Sequence, residues 1–197
     1  MDVCSISHSL RLEDVEAGYR RGIFPMAGGP GGLITWHRPP VRAIIPLDRL
    51  HVPRSLERTF RRGRFRISRD TAFEQVMRDC AGRESTWISD EFIDVYGQLH
   101  RQGKAHSVEV WVGDLLAGGL YGVHLGAAFF AESMFHCVTD MSKVALVHLA
   151  RHLREHDFAL LEVQYLTPHL ARFGAIEIRH REYLRRLQQA LAIDRQF

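Results

Sequence analysis

Apolar positions recurring every three or four residues predict helices near 11–21, 54–62, 71–81, 90–102, 140–156, 165–172 and 181–192. Between them, apolar residues alternate with polar ones or run together at 42–47 (RAIIPL), 64–68 (RFRIS), 106–112, 115–125, 127–133, 159–164 (ALLEVQ) and 175–180, and these segments predict strands. Two strands flank Gly113-Asp114 and two flank Gly126, so the middle of the chain reads as a three-stranded antiparallel meander. Helices first, then the meander, then strand–helix–strand, is the order of a mixed α+β sheet with flanking helices rather than of a doubly wound parallel one. The Gly/Pro-rich MAGGPGG at 26–32 and the Pro39-Pro40 pair interrupt regular structure. Residues 1–40 are therefore expected to form a short N-terminal extension and 41–197 one domain, with no internal repeat.

A chain of 197 residues that is 46% hydrophobic and 25% charged can bury a full core. No apolar stretch reaches the ~20 residues of a spanning helix, and the first twenty lack a secretory apolar block. A cytoplasmic protein with no membrane contact is expected. Cys4, Cys80 and Cys137 are too few and too scattered for a disulfide framework or a zinc site. Of 26 basic residues only Lys104 and Lys143 are lysines. Seven arginines, at 54, 58, 61, 62, 64, 66 and 69, fall within sixteen residues against the single acid Glu57, a local charge of +6. A solvated helical stripe and a polyanion-binding surface both account for such a run.

Phosphate-loop, HExxH, GxSxG and dinucleotide-turn motifs are absent. His148, His152 and His156 share a helix face at i, i+4 and i+8, but the neighbouring arginines at 151 and 154 favour a histidine stripe over a metal site. His136 and Cys137 are adjacent and so point apart. What remains is polar chemistry planted in apolar strands: Glu132 after AAFFA, and Glu162 and Gln164 in ALLEVQ, where a two-residue period places the last pair on one strand face. A solvent-facing sheet surface explains the latter pair equally well, and His106 and Glu109 share that ambiguity. Trp87, just before a Ser89-Asp90-Glu91 helix start, serves either as a lid on the core or as a stacking platform for a base.

Several strings then coincide in order along nearly the whole chain: GYRRGIFPM at 18–26, Trp36–Arg42, LHVPRS at 50–55, Thr86-Trp87-Ile88, AHSVEVWVGDLLAGGLYG at 105–122, ESMF at 132–135, Ser142-Lys143, and Gln164 with Gly174-Ala175. In these the chain resembles the leucyl/phenylalanyl-tRNA–protein transferases, bacterial enzymes that move an amino acid from aminoacyl-tRNA onto the N-terminus of a protein. The resemblance implies an N-acetyltransferase-like catalytic fold, no cofactor, and transfer of Leu or Phe, with Met a further candidate. It also implies acceptors with N-terminal Arg or Lys that are thereby marked for N-end-rule degradation.

Residue by residue, the resemblance implies catalytic roles for Gln164, for Glu162 where the family has an aspartate, and for Glu132 on the aminoacyl group. Tyr19 and Trp87 match aromatics near the terminal adenosine. Leu120, Phe129, Met134, Leu149, Leu153 and Leu161 match a pocket for the Leu or Phe side chain. Arg61 and Arg62 match a tRNA-contacting pair, which the charge run extends to Arg54, Arg58 and Arg66. The chain departs from the family pattern at Met26, a tryptophan there, at Ala131, a glycine there, and in a shorter segment ahead of the Tyr19 helix, read as a truncated extension. The rival readings are an acetyl-CoA-dependent N-acetyltransferase, whose pyrophosphate-binding turn is missing after the meander, and a non-catalytic tRNA- or peptide-binding relic.

Overall fold

The expected meander forms the middle of a seven-stranded sheet. Its strands β6 (Ala105–Val112), β7 (Leu115–Leu125) and β8 (Ala128–His136) pair antiparallel through two tight turns, Gly113 and Gly126 having φ of +60° and +58°. In this computed structural model, which describes residues 3–28, 32–83 and 86–197, the sheet order is β10-β4-β9-β8-β7-β6-β5. The remaining strands are β4 (Val41–Ile44), β5 (Arg66–Arg69), β9 (Leu160–Glu162) and β10 (Ile176–Arg179). All pairs are antiparallel except β8 with β9, so the sheet is mixed and the fold α+β as expected.

Helices cover both faces. On one lie α1 (Leu12–Arg20), α3 (Phe73–Ala81), α4 (Asp90–Arg101) and α7 (His180–Leu191), closing a core around Val76, Phe92, Tyr96 and Phe130. On the other lie α2 (Arg54–Arg62) and the 15-residue α5 (Met141–Glu155), closing a second core around Val144, Leu149, Leu153 and Phe129. Two cores, one on each face, are what helices packed on both sides of a sheet produce. None of the described helices is long and apolar enough to cross a membrane.

Three strands escaped the hydrophobic pattern. β1 (Val3–Ser7), β2 (Phe24–Met26) and β3 (Ile34–His37) form a separate antiparallel sheet, order β1-β3-β2. They are three to five residues long and carry no sustained alternation. Pro25 is tolerated because β2 is an edge strand. Gly18 lets this sheet close on α1, since a Cβ there would lie 2.6 Å from Trp36 Cζ3. Tyr19, Phe24, Ile34 and Trp36 share the first core with α3 and α4. The centre of the MAGGPGG tract, 29–31, lies outside the described residues.

Other expectations shift at their ends. The strand from 42 stops at Ile44, and Pro46 opens a 3-10 turn at Leu47–Arg49. Gly63, at φ +59°, caps α2 and delays β5 to Arg66. The helix expected over 165–172 is only α6 (Pro168–Ala171), because Pro168 is acceptable only in the first turn and Thr167 caps it, accepting from Leu170 N at 3.1 Å. Most important, β9 ends at Glu162, before Gln164.

Candidate active site

The site is made where β8 and β9 part. They pair in parallel only over Ala128–Phe130 and Leu160–Glu162. Beyond Glu162 the chain turns its hydrogen bonds to β4: Val163 N donates to Ala43 O at 2.9 Å and Ala43 N to Gln164 O at 3.0 Å. β8 meanwhile runs on to His136. Between the two lies a cavity of about 90 Å³ lined by Leu120, Ala131, Glu132, Ser133, Met134, Leu146, Val163 and Leu170. Among the described residues, Glu132 is the only acid in that lining.

Gln164 does not share a strand face with Glu162. It sits in the left-handed region at φ +61°, a conformation rare for a residue with a side chain and characteristic of functional sites. Its backbone N–H donates to Glu162 Oε1 at 2.6 Å, and its side-chain Nε2 reaches across the wedge to Glu132 Oε2 at 3.0 Å. The two residues converge through a turn rather than through alternation.

Glu132 reaches this position because it is a β-bulge. Tyr121 pairs with Ser133 and Gly122 with Ala131, so Glu132 has no partner on β7 and its side chain is re-aimed. Gly122 makes room, since a Cβ there would meet Phe130 O at 2.3 Å and Phe129 Cε1 at 2.4 Å. Burial pushes the Glu132 carboxyl up to about 8, against the pull of the Tyr19 hydroxyl. Tyr19 Oη lies 2.8 Å from Tyr96 Oη, both rings being fully buried, so a line of hydroxyls backs the carboxyl.

Glu162 is fully buried and paired with Arg42, the last residue of the Trp36–Arg42 string, to which the sequence assigns no role. Arg42 Nε and Nη2 approach Oε1 of Glu162 at 2.9 and 2.8 Å, and Nη1 donates to Gly22 O at 3.0 Å. The guanidinium lies between the rings of Phe24 and Tyr183, at 4.7 and 4.6 Å from their centroids. Burial raises the proton affinity of Glu162 and Arg42 opposes it. With Oε1 shared by the guanidinium and the Gln164 amide, Glu162 fixes the Gln164 turn.

Of the six apolar residues assigned to the pocket, Leu120 and Met134 line the cavity. Phe129, Leu149, Leu153 and Leu161 are at most 1% exposed and pack beneath it in the second core. Leu146, Val163 and Leu170 complete the lining and were missed, since an apolar residue at helical or strand spacing gives no sign of facing a cavity. Trp87 is half-buried, edge-on to Phe92 at 5.5 Å, and its carbonyl accepts from Ala27 N at 3.2 Å. Tyr19 is 1% exposed with its ring against Phe130, so of the two aromatics only Trp87 presents a surface. Arg54, Arg58, Arg61 and Arg62 are exposed on α2, and exposed Arg66 on β5 lies over the Trp111 ring at 5.0 Å.

The remaining polar candidates have structural partners. Glu109 receives the hydroxyls of Ser107, Ser68 and Thr71 at 2.5, 2.6 and 3.0 Å. His106 bonds Asp70 at 2.8 Å. His152 faces Arg69 Nη1 at 2.9 Å, and burial with that charge pushes it down to about 4. Among the described residues no group of three or more His, Cys, Asp or Glu side chains is placed to hold a metal.

Comparison with known proteins shows which family the chain resembles. The family model described as leucyl/phenylalanyl-tRNA protein transferase matches residues 44–188, and that of the family's N-terminal domain matches 9–40. A leucyl/phenylalanyl-tRNA–protein transferase of Rubrobacter xylanophilus is 54% identical over 180 residues, covering 91% of this chain and 94% of the relative. Another, from Chlorobaculum parvum, is 49% identical over 187 residues, covering 93% and 96%. Among solved structures, L-PGS from Bacillus licheniformis aligns over 84% of this chain and 57% of its own at 12% identity and a TM-score of 0.44, too loose a likeness to argue from. Matched by family models over both its parts and half identical to transferases along nearly their full length, the chain belongs to the leucyl/phenylalanyl-tRNA–protein transferase family and is an aminoacyltransferase.

Proposed function

We propose that the chain transfers Leu or Phe, with Met a further candidate, from aminoacyl-tRNA to proteins that begin with Arg or Lys, marking them for degradation. The observation that carries this reading is the amide of Gln164, held to Glu132 at 3.0 Å on the rim of an apolar cavity. The aminoacyl side chain enters the cavity, and its ester carbonyl comes to rest by the Gln164–Glu132 bridge. Trp87 backs the terminal adenosine, and the arginines from 54 to 66 hold the acceptor stem.

The reaction is aminolysis. The acceptor's α-amine attacks the ester carbonyl, the C–N bond forms, the C–O bond to the ribose breaks, and a proton passes from nitrogen to the departing oxygen. An α-amine titrates near 7.7–8.0, so a useful share is already neutral and a strong base is unnecessary. With Nε2 committed to Glu132, the oxygen of the Gln164 amide is its acceptor end and aligns the amine N–H. Glu162, tied to Arg42, positions Gln164 instead of taking the proton. The ester is activated before it binds, so the scheme calls for no cofactor.

The test is to incubate purified protein with radiolabelled Leu-tRNA and a substrate bearing N-terminal Arg, with and without acetyl-CoA. Acid-precipitable leucine label that is independent of acetyl-CoA supports the reading. No transfer of leucine, or label entering only from acetyl-CoA, contradicts it.

A further inference from the structure

A groove of about 740 Å³ runs between α3 and the ends of β7 and β8, lined among others by Arg78, Arg83, Leu115, Leu116, Met134 and His136. We propose that it receives the single-stranded 3′ end of the aminoacyl-tRNA, with Arg83 and Arg78 on the phosphates of the nucleotides that precede the terminal adenosine. This rests on the transferase reading above and extends it to a part of the substrate that the cavity does not touch.

Continuity is the first argument. Met134 lines both the groove and the aminoacyl cavity, so one β8 residue is the wall between them. The Arg83 guanidinium donates to the Met134 carbonyl, which holds a cation over that shared wall. Four residues on in the chain stands Trp87, the candidate platform for the terminal base. Trp87 and Arg83 are thus at most roughly 14 Å apart, within reach of one single-stranded segment.

Charge is the second. The acid in the lining, Asp79, accepts the Gln75 amide at 2.8 Å. Arg78 is paired with Glu74 and Asp90, but the partners are 67% and 95% exposed, and such solvent-facing pairs exchange readily for a phosphate. Leu115, 54% exposed, and the His136 ring provide apolar and π surface for bases. An acceptor polypeptide beginning with Arg or Lys would meet like charge here.

The third argument is the route to the α2 arginines. Arg66 pairs with Trp111 on β6, Trp111 with Leu116 on β7, and Gly118, two residues along β7, with His136 on β8. The groove thus opens at the sheet end where Arg66 lies over Trp111, three strand spacings or roughly 15 Å away. Arg66, near the end of the basic run, stands at the groove's end of the sheet, and the α2 arginines on the opposite face are reached from it across the strand ends. The unpaired nucleotides occupy the groove in this arrangement, with the duplex part of the substrate on α2.

Three leucyl donors test the idea: leucyl-adenosine, leucyl-CpCpA and Leu-tRNA, each with the same N-terminal-Arg peptide. Arg83→Ala should lower the ratio of kcat/KM on leucyl-CpCpA to that on leucyl-adenosine roughly tenfold, as removal of a charge-assisted hydrogen bond to phosphate would. The salt dependence of leucyl-CpCpA transfer should become shallower by about 0.7 in log–log slope for each phosphate no longer neutralised, and Arg83→Lys should recover part of both. An unchanged ratio, an equal loss on all three donors, or a rise in KM for the peptide alone would overturn the groove assignment. Wild-type protein inactive on every donor would overturn the transferase reading itself, a different result from an active wild type with an unchanged Arg83→Ala ratio.

Discussion

Arg42 grips a single oxygen of Glu162 with two nitrogens, at 2.9 and 2.8 Å, across 120 residues of sequence, and the pair is 1% and 0% exposed. Removing one partner of such a buried pair strands the other's charge. Arg42→Met should therefore destabilise the protein by about 3–5 kcal/mol, read from chemical denaturation. Glu162→Gln should lose a comparable amount of stability yet keep most of its transfer rate per folded molecule, with an unshifted pH profile. A Glu162→Gln protein that folds as well as wild type but transfers nothing would make Glu162 an obligatory base.

Stability should fall with rising pH on account of Glu132. An unfolded glutamate titrates near 4.5, whereas the buried carboxyl is pushed up to about 8. Between those values the folded chain holds one more proton than the unfolded chain, so this group's contribution is complete below 4.5 and is lost as pH rises through about 8. The slope is at most about 1.4 kcal/mol per pH unit. Denaturation at a series of pH values should show Glu132→Gln with a flatter profile than wild type across that window. Parallel profiles would place the carboxyl at an ordinary proton affinity.

The bulge that presents Glu132 depends on Gly122. Gly122→Ala puts a methyl 2.3 Å from Phe130 O, a backbone atom held in the sheet, so the strands must shift. A loss of about 1–3 kcal/mol is expected, together with a fall in transfer larger than the loss of folded protein explains. Full activity in a stable Gly122→Ala variant would show that the bulge does not set the site.

Selectivity should respond at Leu146 and not at Leu149. Leu146 lines the cavity, so Leu146→Phe should narrow it and shift competition between Leu-tRNA and Phe-tRNA toward Leu, by roughly tenfold at most. Leu149 is fully buried in the core beneath, and Leu149→Phe should instead cost about 1–3 kcal/mol of stability. An unchanged Leu/Phe ratio in Leu146→Phe would remove the cavity from the choice of amino acid.

Much of this architecture was legible because its signals are local. Gly113-Asp114 and Gly126 mark the meander turns, and the apolar stripe of α5 repeats over four turns. The N-terminal strands carried no such signal, being short and, in β2, containing Pro25. Within the site, Glu132 and Gln164 stood out as polar residues in apolar strands, and family resemblance gave them roles. Their geometry did not follow from spacing. Alternation put Glu162 and Gln164 on one face, whereas a left-handed turn at Gln164 swings its side chain across the wedge. Nor does any local feature announce Arg42 as the partner of Glu162, except that an arginine opening RAIIPL had to be paired if buried. Pocket and core leucines are chemically alike, so only the fold separates Leu146 from Leu149.

The measurement closest to the central claim is single-turnover transfer by Gln164→Ala, with pre-bound Leu-tRNA and an N-terminal-Arg peptide in excess. If Gln164 aligns the amine against the ester, the rate should fall at least about a hundredfold, the scale of losing a well-oriented approach, while Leu-tRNA affinity and folding stay near wild type. A rate within a few-fold of wild type, or a loss fully accounted for by weaker tRNA binding, would contradict the role of the Gln164–Glu132 bridge in catalysis.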